Sequence, residues 1–165
     1  MIKTIEIVSL SSGIIGESLA AHELKIGVER LQARGLTVKF SKHALKGIDY
    51  IKEHPENRAA DLIEAYADPE VDMILCAIGG DDTFRLLPYL FEDDRLKNVV
   101  SGVLVGKPMD ETYADEYKKL LVKIIDSPEL PVLCNINIGH ATPRCIIPFG
   151  INATVDADNQ VITFE

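Results

Sequence analysis

A continuous apolar run, Met73-Ile74-Leu75-Cys76-Ala77-Ile78, stops at Gly79-Gly80-Asp81-Asp82 and gives way to the apolar-periodic Thr83-Phe84-Arg85-Leu86-Leu87. That order predicts a buried strand, a tight turn and a helix start, the unit from which parallel α/β sheets are built. Glycines at 79 and 80 allow positive φ and a close approach by another group. Asp81 is placed to cap the helix, and Asp82 sits where the positive end of the helix dipole favours a carboxylate. A well-capped βα turn accounts for much of this pattern by itself. A functional turn would instead aim the backbone N–H groups of Gly80 and Asp81 into a pocket, where they could hold a developing oxyanion.

The rest of the chain alternates in the same way. Ile2 to Leu10 is a strand, followed by the small-residue loop Ser11-Ser12-Gly13. Ser18 to Arg34 is a helix with Leu19, Leu24, Ile26, Val28 and Leu31 mainly on one face, closed by Gly35. Leu36 to Phe40 alternates as a short strand, and a polar loop containing Gly47 follows. Pro55 or Glu56 opens a helix to about Ala67, with Leu62, Ile63 and Tyr66 inward, and Asp68-Pro69 stops it. After the strand from Asp72 to Ile78, Pro88 is expected to end or kink the next helix. Phe91 to Asn98 reads as charged surface. Val99 to Gly106 reads as a fourth strand, Met109 to Ile125 as a helix and Val132 to Ile138 as a fifth strand ending in Gly139-His140. Ala153-Thr154-Val155 and Val161 to Phe164 form a hairpin around residues 156–160.

Such alternation implies a mostly parallel sheet covered on both faces, and ligands of these sheets bind beyond the strand carboxyl ends. Ser11-Ser12-Gly13, Gly79-Gly80-Asp81-Asp82, Gly106-Lys107-Pro108 and Gly139-His140 all end strands and are expected to meet at that edge.

A net charge of −9 argues against nucleic acid and anionic membrane surfaces as partners. No apolar run approaches the roughly 18 residues of a membrane span, and Glu6 breaks any secretory pattern near the amino end. Cys76, Cys134 and Cys145 are odd in number, two of them in apolar runs, and are expected as reduced, buried thiols in a cytoplasmic protein. No histidine and cysteine spacing suits a metal, so neither a metal nor a cofactor is expected. The glycine loops fit neither a dinucleotide fingerprint nor a P-loop, which disfavours a phosphate- or flavin-binding module.

His140, at a strand's carboxyl end, is the sharpest candidate for general acid or base work, with a loop-bonding histidine as the alternative. His22, His43 and His54 are expected to be structural or exposed. Ser11, Ser12, Thr83 and Ser101 lack the elbow or the adjacent base that a nucleophile needs.

The stretch Gly79-Gly80-Asp81-Asp82-Thr83 with Arg85-Leu86-Leu87-Pro88-Tyr89-Leu90 resembles the first-domain motif of the LD-carboxypeptidase family, including its microcin-immunity branch. Ile7 to Gly13 and His54 to Leu62 are similar to that family's opening strand and second helix. Gly102 to Lys107 and Pro131 to Pro143 are similar to its carboxyl-terminal domain. The resemblance implies serine peptidases that cut amide bonds at the carboxyl end of murein tetrapeptides or peptidyl-nucleotide antibiotics. It makes His140 the catalytic histidine and Gly80 with Asp81 the backbone oxyanion hole. The family's Gly-x-Ser-Asp nucleophile turn is missing, and its acidic triad partner has no counterpart. First-domain sequence (residues 1–100) passes almost directly into second-domain sequence (101–165), as though the middle portion had been removed.

The expected fold is therefore one compact three-layer α/β domain, with a flavodoxin-like, mostly parallel five-stranded sheet and a small carboxyl-terminal β tail. Two half-domains with exposed apolar edges, prone to dimerise, are the alternative. The expected function is a peptidase by descent, impaired or inactive, acting on a small peptide or on nothing. The alternative is a non-catalytic remnant or a minimal engineered scaffold.

Overall fold

A computed structural model describes residues 2–98, 100–139, 142–148 and 151–165. Two compact units divide between Lys97 and Asn98.

The first unit is built on β1 (Thr4–Val8), the middle strand of a parallel sheet of order β2-β1-β3 with β2 (Thr37–Phe40) and β3 (Met73–Cys76). Ile5 stands opposite Val38 on one side and Met73 on the other. A strand paired on both sides and packed on both faces has no solvent side, and Ile5, Ile7 and Val8 are buried accordingly. Even Glu6 is buried, accepting a 2.9 Å bond from the Ser41 hydroxyl. α1 (Ala21–Gln32) returns the chain to β2, and α2 (Ile48–Glu53) with α3 (Pro55–Ala67) return it to β3. The strand order reverses across β1, so the loops after β1 and β3 flank the crevice in which open α/β sheets bind ligands.

Gly35 ends the α1 region with φ +81°, as its position predicts. Two local expectations fail for physical reasons. Pro88 lies in the first turn of α4 (Leu87–Glu92) and starts that helix instead of breaking it, because an N–H is not needed there. Tyr66 is 57% exposed, and the inner face of α3 carries Arg58, Ala59, Asp61, Ile63 and Ala65. α2 was not expected at all. Six residues give little periodicity, yet Ile51 is fully buried. The charged stretch after α4 contains a further turn of helix, α5 (Asp94–Lys97).

In the second unit, β4 (Val103–Gly106) and β5 (Val132–Ile136) pair in parallel through the crossover helix α6 (Ala114–Ile125). Leu121 and Ile125 form the buried stripe of α6, joined in the core by Leu133. β6 (Ala153–Asp156) and β7 (Val161–Phe164) make the antiparallel hairpin. Its turn is held by Asp156, which accepts from the Asn159 backbone and side chain at 2.9 and 2.8 Å.

The chain is thus mixed α/β with parallel sheet. Its described strands hydrogen-bond as sheets of three, two and two, not as one five-stranded sheet. β4 and β5 satisfy their ladder groups on each other, and β4 starts only at Val103, later than the apolar run suggests. Cys76 and Cys145 are exposed and Cys134 half-buried, against the expectation of burial: Cys76 closes the edge strand β3, Cys134 lies on β5, which is paired on one side only among the described strands, and Cys145 lies outside any strand. No helix among the described residues is long and apolar enough to cross a membrane.

Candidate functional site

Two of the four glycine-ended loops meet in the first unit. After β1, the chain turns through Ser12 at φ +62° and Gly13 at φ +74°, with the Gly13 N–H donating to the Ser11 carbonyl at 2.7 Å. After β3, Gly80 packs on Ser11 so closely that a Cβ there would stand 2.0 Å from the Ser11 hydroxyl oxygen. Close approach explains this glycine. Its φ is not positive, and neither is that of Gly79, whose Cβ position is open.

The capping expected of the aspartates does not form. Asp82 is the residue before the short helical turn Thr83–Leu86, but its carboxylate makes no capping bond. It turns to the β1 loop instead, where one oxygen accepts from the Ser11 hydroxyl and the other lies 3.1 Å from Arg58 Nη1. Arg58 Nη1 also donates to the Leu10 carbonyl at 2.9 Å. Burial alone would raise the Asp82 carboxyl pKa; the Ser11 hydroxyl, the adjacent Arg58 guanidinium and the charge of Arg85 outweigh it and hold the group below the usual carboxylate range. Such a carboxylate is a weak base. It holds the Ser11 hydroxyl against the turn after β3.

The backbone N–H groups of Gly80 and Asp81 donate to no other described residue, and both residues are exposed. They are two adjacent free donors on a turn whose neighbours are tied down. A site of this kind can receive an oxygen carrying negative charge.

Beneath this edge, His43 follows β2. Its Nδ1 is 2.8 Å from Asp61 Oδ1, its N–H donates to Asp61 Oδ2 at 3.0 Å, and its ring stacks on Tyr50. Both side chains are buried, and this pair braces the loop after β2 against α3. Ser11 was expected at this edge, but Arg58 and Asp61 were missed as site-building residues. The available signal was two charged residues three apart on the apolar-facing side of α3, a pattern that solvent-facing helices do not need.

The other two loops meet in the second unit. Gly106 lies against Ile138, whose carbonyl oxygen would stand 2.7 Å from a Cβ at that glycine. A cavity of about 630 Å³ opens at the carboxyl end of β4, lined by Val105, Gly106, Tyr113, Tyr117, Cys134 and Asn135 among others. His140, the expected catalytic histidine, lies outside the described residues.

Fold and site together define a parallel α/β protein whose candidate donors lie on loops at strand carboxyl ends. Residues 5–106 match the LD-carboxypeptidase N-terminal domain, and residues 81–155 match the LD-carboxypeptidase C-terminal domain. The chain belongs to the LD-carboxypeptidase family. A Streptomyces coelicolor protein with a provisional carboxypeptidase name is 30% identical over 111 residues, covering 65% of this chain and 36% of its own. Among solved structures, an MccF-like protein from Streptococcus pneumoniae in complex with AMP is 54% identical, with a TM-score of 0.59 over 73% of this chain and 35% of its own. An MccF-like protein from Bacillus anthracis is 28% identical, with a TM-score of 0.51 over 64% of this chain and 31% of its own. The chain spans about a third of the length of these three relatives.

Proposed function

We propose that this chain is a shortened LD-carboxypeptidase-family protein, a serine-type peptide hydrolase by descent in which hydrolysis is impaired or lost. Gly80 and Asp81 keep the amides of the oxyanion hole, and His140 keeps the role of general base. The observation that carries the reading is the pair of unspent, exposed N–H groups at Gly80 and Asp81 on a tethered turn. Loss of rate follows from what is missing. No serine is followed by aspartate in the sequence, and Ser11 is engaged by Asp82. Without an activated nucleophile, the oxyanion donors and binding retain only a small part of the catalysis. The overlap of the two domain matches on residues 81–106 supports a join between a first-domain segment and a second-domain segment. Three cysteines outside any disulfide suit a reducing, cytoplasmic setting.

The substrate class is a small peptide presenting a carboxyl-terminal residue. Incubation with an L,D-tetrapeptide is expected to release D-alanine slowly or not at all, and any slow release is expected to vanish in His140→Ala. Efficient release that survives His140→Ala would sink the proposal.

A second reading draws on the Streptococcus pneumoniae relative, whose complex with AMP makes a nucleotide a reasonable ligand for this chain too. A rise in melting temperature with AMP favours it, and a flat response removes it.

A further inference from the structure

We propose that Arg58 is a positioning residue for the Gly80 and Asp81 amides, acting through the Asp82 carboxylate and the Leu10 carbonyl; this rests on reading those amides as an oxyanion hole. The Arg58 side chain is fully buried on the inner face of α3, and among the described residues only Nη1 of its guanidinium nitrogens has a partner. That one nitrogen reaches Leu10 at 2.9 Å and Asp82 at 3.1 Å. Leu10 belongs to the loop after β1 and Asp82 to the turn after β3, so a single donor joins the loops of two adjacent parallel strands. From the other side, Ser11 donates to the second Asp82 oxygen. Both oxygens of the residue following Asp81 are thereby fixed, which restricts the peptide planes that carry the two free N–H groups.

An arginine is a costly way to fill space here. An apolar side chain of similar length would avoid desolvating a guanidinium. Nε and Nη2 find no acceptor among the described residues, so the cost is not recovered by further bonds elsewhere. Among the described residues, every hydrogen bond and ion pair of the Arg58 side chain goes to the two loops that shape the site. An arginine chosen for packing or solubility would not be spent this way.

Backbone ¹⁵N relaxation of the full chain tests this in Ser11→Ala, Arg58→Lys and Asp82→Asn, each first shown to be folded by circular dichroism. Wild-type order parameters at Gly80 and Asp81 are expected near the rigid-backbone value of ~0.85, falling below ~0.6 in Arg58→Lys and Asp82→Asn while β1 and β3 stay unchanged. Ser11→Ala, which removes one of the ties, is expected to loosen the turn less. In wild type the same loosening is expected on acidification, when Asp82 takes up a proton. The charged and polar groups facing Asp82 are Ser11, Arg58 and Arg85, and Asp82→Asn is expected to show no such pH response. A merely structural arginine would lower global stability without this local, pH-linked change.

Wild-type order at Gly80 and Asp81 in folded Arg58→Lys and Asp82→Asn would overturn the proposal. If Arg58→Lys does not fold, Asp82→Asn decides alone, since its side chain is partly exposed. The tetrapeptide assay separates the two failures. Efficient release that survives His140→Ala, with the turn still locked by Arg58, removes the proposed function and leaves the positioning role. A turn indifferent to Arg58, with slow release dependent on His140, does the reverse.

Discussion

Arg58 and Asp82 meet with Nη1 and Oδ2 3.1 Å apart, the arginine side chain wholly enclosed and the aspartate side chain 23% exposed. Removing the aspartate charge leaves a buried cation unpaired. Breaking such a pair typically costs about 3–5 kcal/mol, and the partial exposure of Asp82 puts Asp82→Asn near the lower bound. Urea unfolding followed at pH 7 measures this, and a loss under ~1 kcal/mol would mean that water already screens the pair.

The same carboxylate makes stability depend on acidity. Its folded-state pKa lies below the ordinary value, so its contribution is complete above the unfolded pKa of ~3.9 and fades as pH falls through the lower folded value. The stability gap between wild type and Asp82→Asn is therefore expected to be constant from pH 7 to about 5 and to close in more acid solution. The other depressed carboxylates, Glu56, Asp68, Asp72, Asp110 and Asp156, act in both proteins and cancel in the difference.

The two adjacent glycines should respond very differently to a methyl group. At Gly80 a Cβ would stand 2.0 Å from the Ser11 hydroxyl oxygen and 2.7 Å from its Cβ; at Gly79 it would meet nothing within 4 Å. Gly80→Ala is expected to destabilise by ~1–3 kcal/mol as an overpacked contact, and Gly79→Ala to be close to neutral. Ser11→Gly in the Gly80→Ala background should recover most of the loss by vacating the clashing atoms, whereas Ser11→Ala should not. Thermal melts of the four proteins decide it.

Asp61 gives a further check away from the amide pair. It accepts from both the backbone N–H and the ring of buried His43, at 3.0 and 2.8 Å. Asp61→Ala leaves those donors without a partner and is expected to cost ~1–3 kcal/mol for each group left unsatisfied. Asp61→Asn keeps an oxygen acceptor and should lose less. Chemical denaturation distinguishes the two, and equal losses would show that shape, not hydrogen bonding, matters at this position.

Much of the fold was legible because parallel strands and their crossover helices leave long apolar signatures. α3 starts at Pro55 and ends at Ala67 as its sequence suggests, and β1, β2 and the β6–β7 hairpin fall within a few residues of expectation. Sheet membership was less legible. A run such as Val103-Leu104-Val105 signals a strand but not which neighbour it pairs with, and β4, half-buried along its length, pairs with β5. At the candidate site, the turn at Gly80 and Asp81 was legible because two glycines ending a strand free the backbone for a tight turn and a close approach. The tie through Ser11, Asp82 and Arg58 was not. It links residues 71 and 24 positions apart in sequence, and a propensity for capping competes locally with a long-range ion pair. The ion pair wins because a fully enclosed guanidinium needs its counter-charge more than an exposed helical turn needs its cap.

All three strands of the first sheet run in the same direction, beginning at Thr4, Thr37 and Met73. Their starting ends therefore lie on the rim opposite Gly80 and Asp81, separated by a strand of five residues, or ~16 Å at 3.3 Å per residue. A tether attached ahead of Thr4 would hold this unit on a sensor chip or bead with its free amides turned toward solution. Immobilised ligand screening is thus open to this chain without re-engineering either loop.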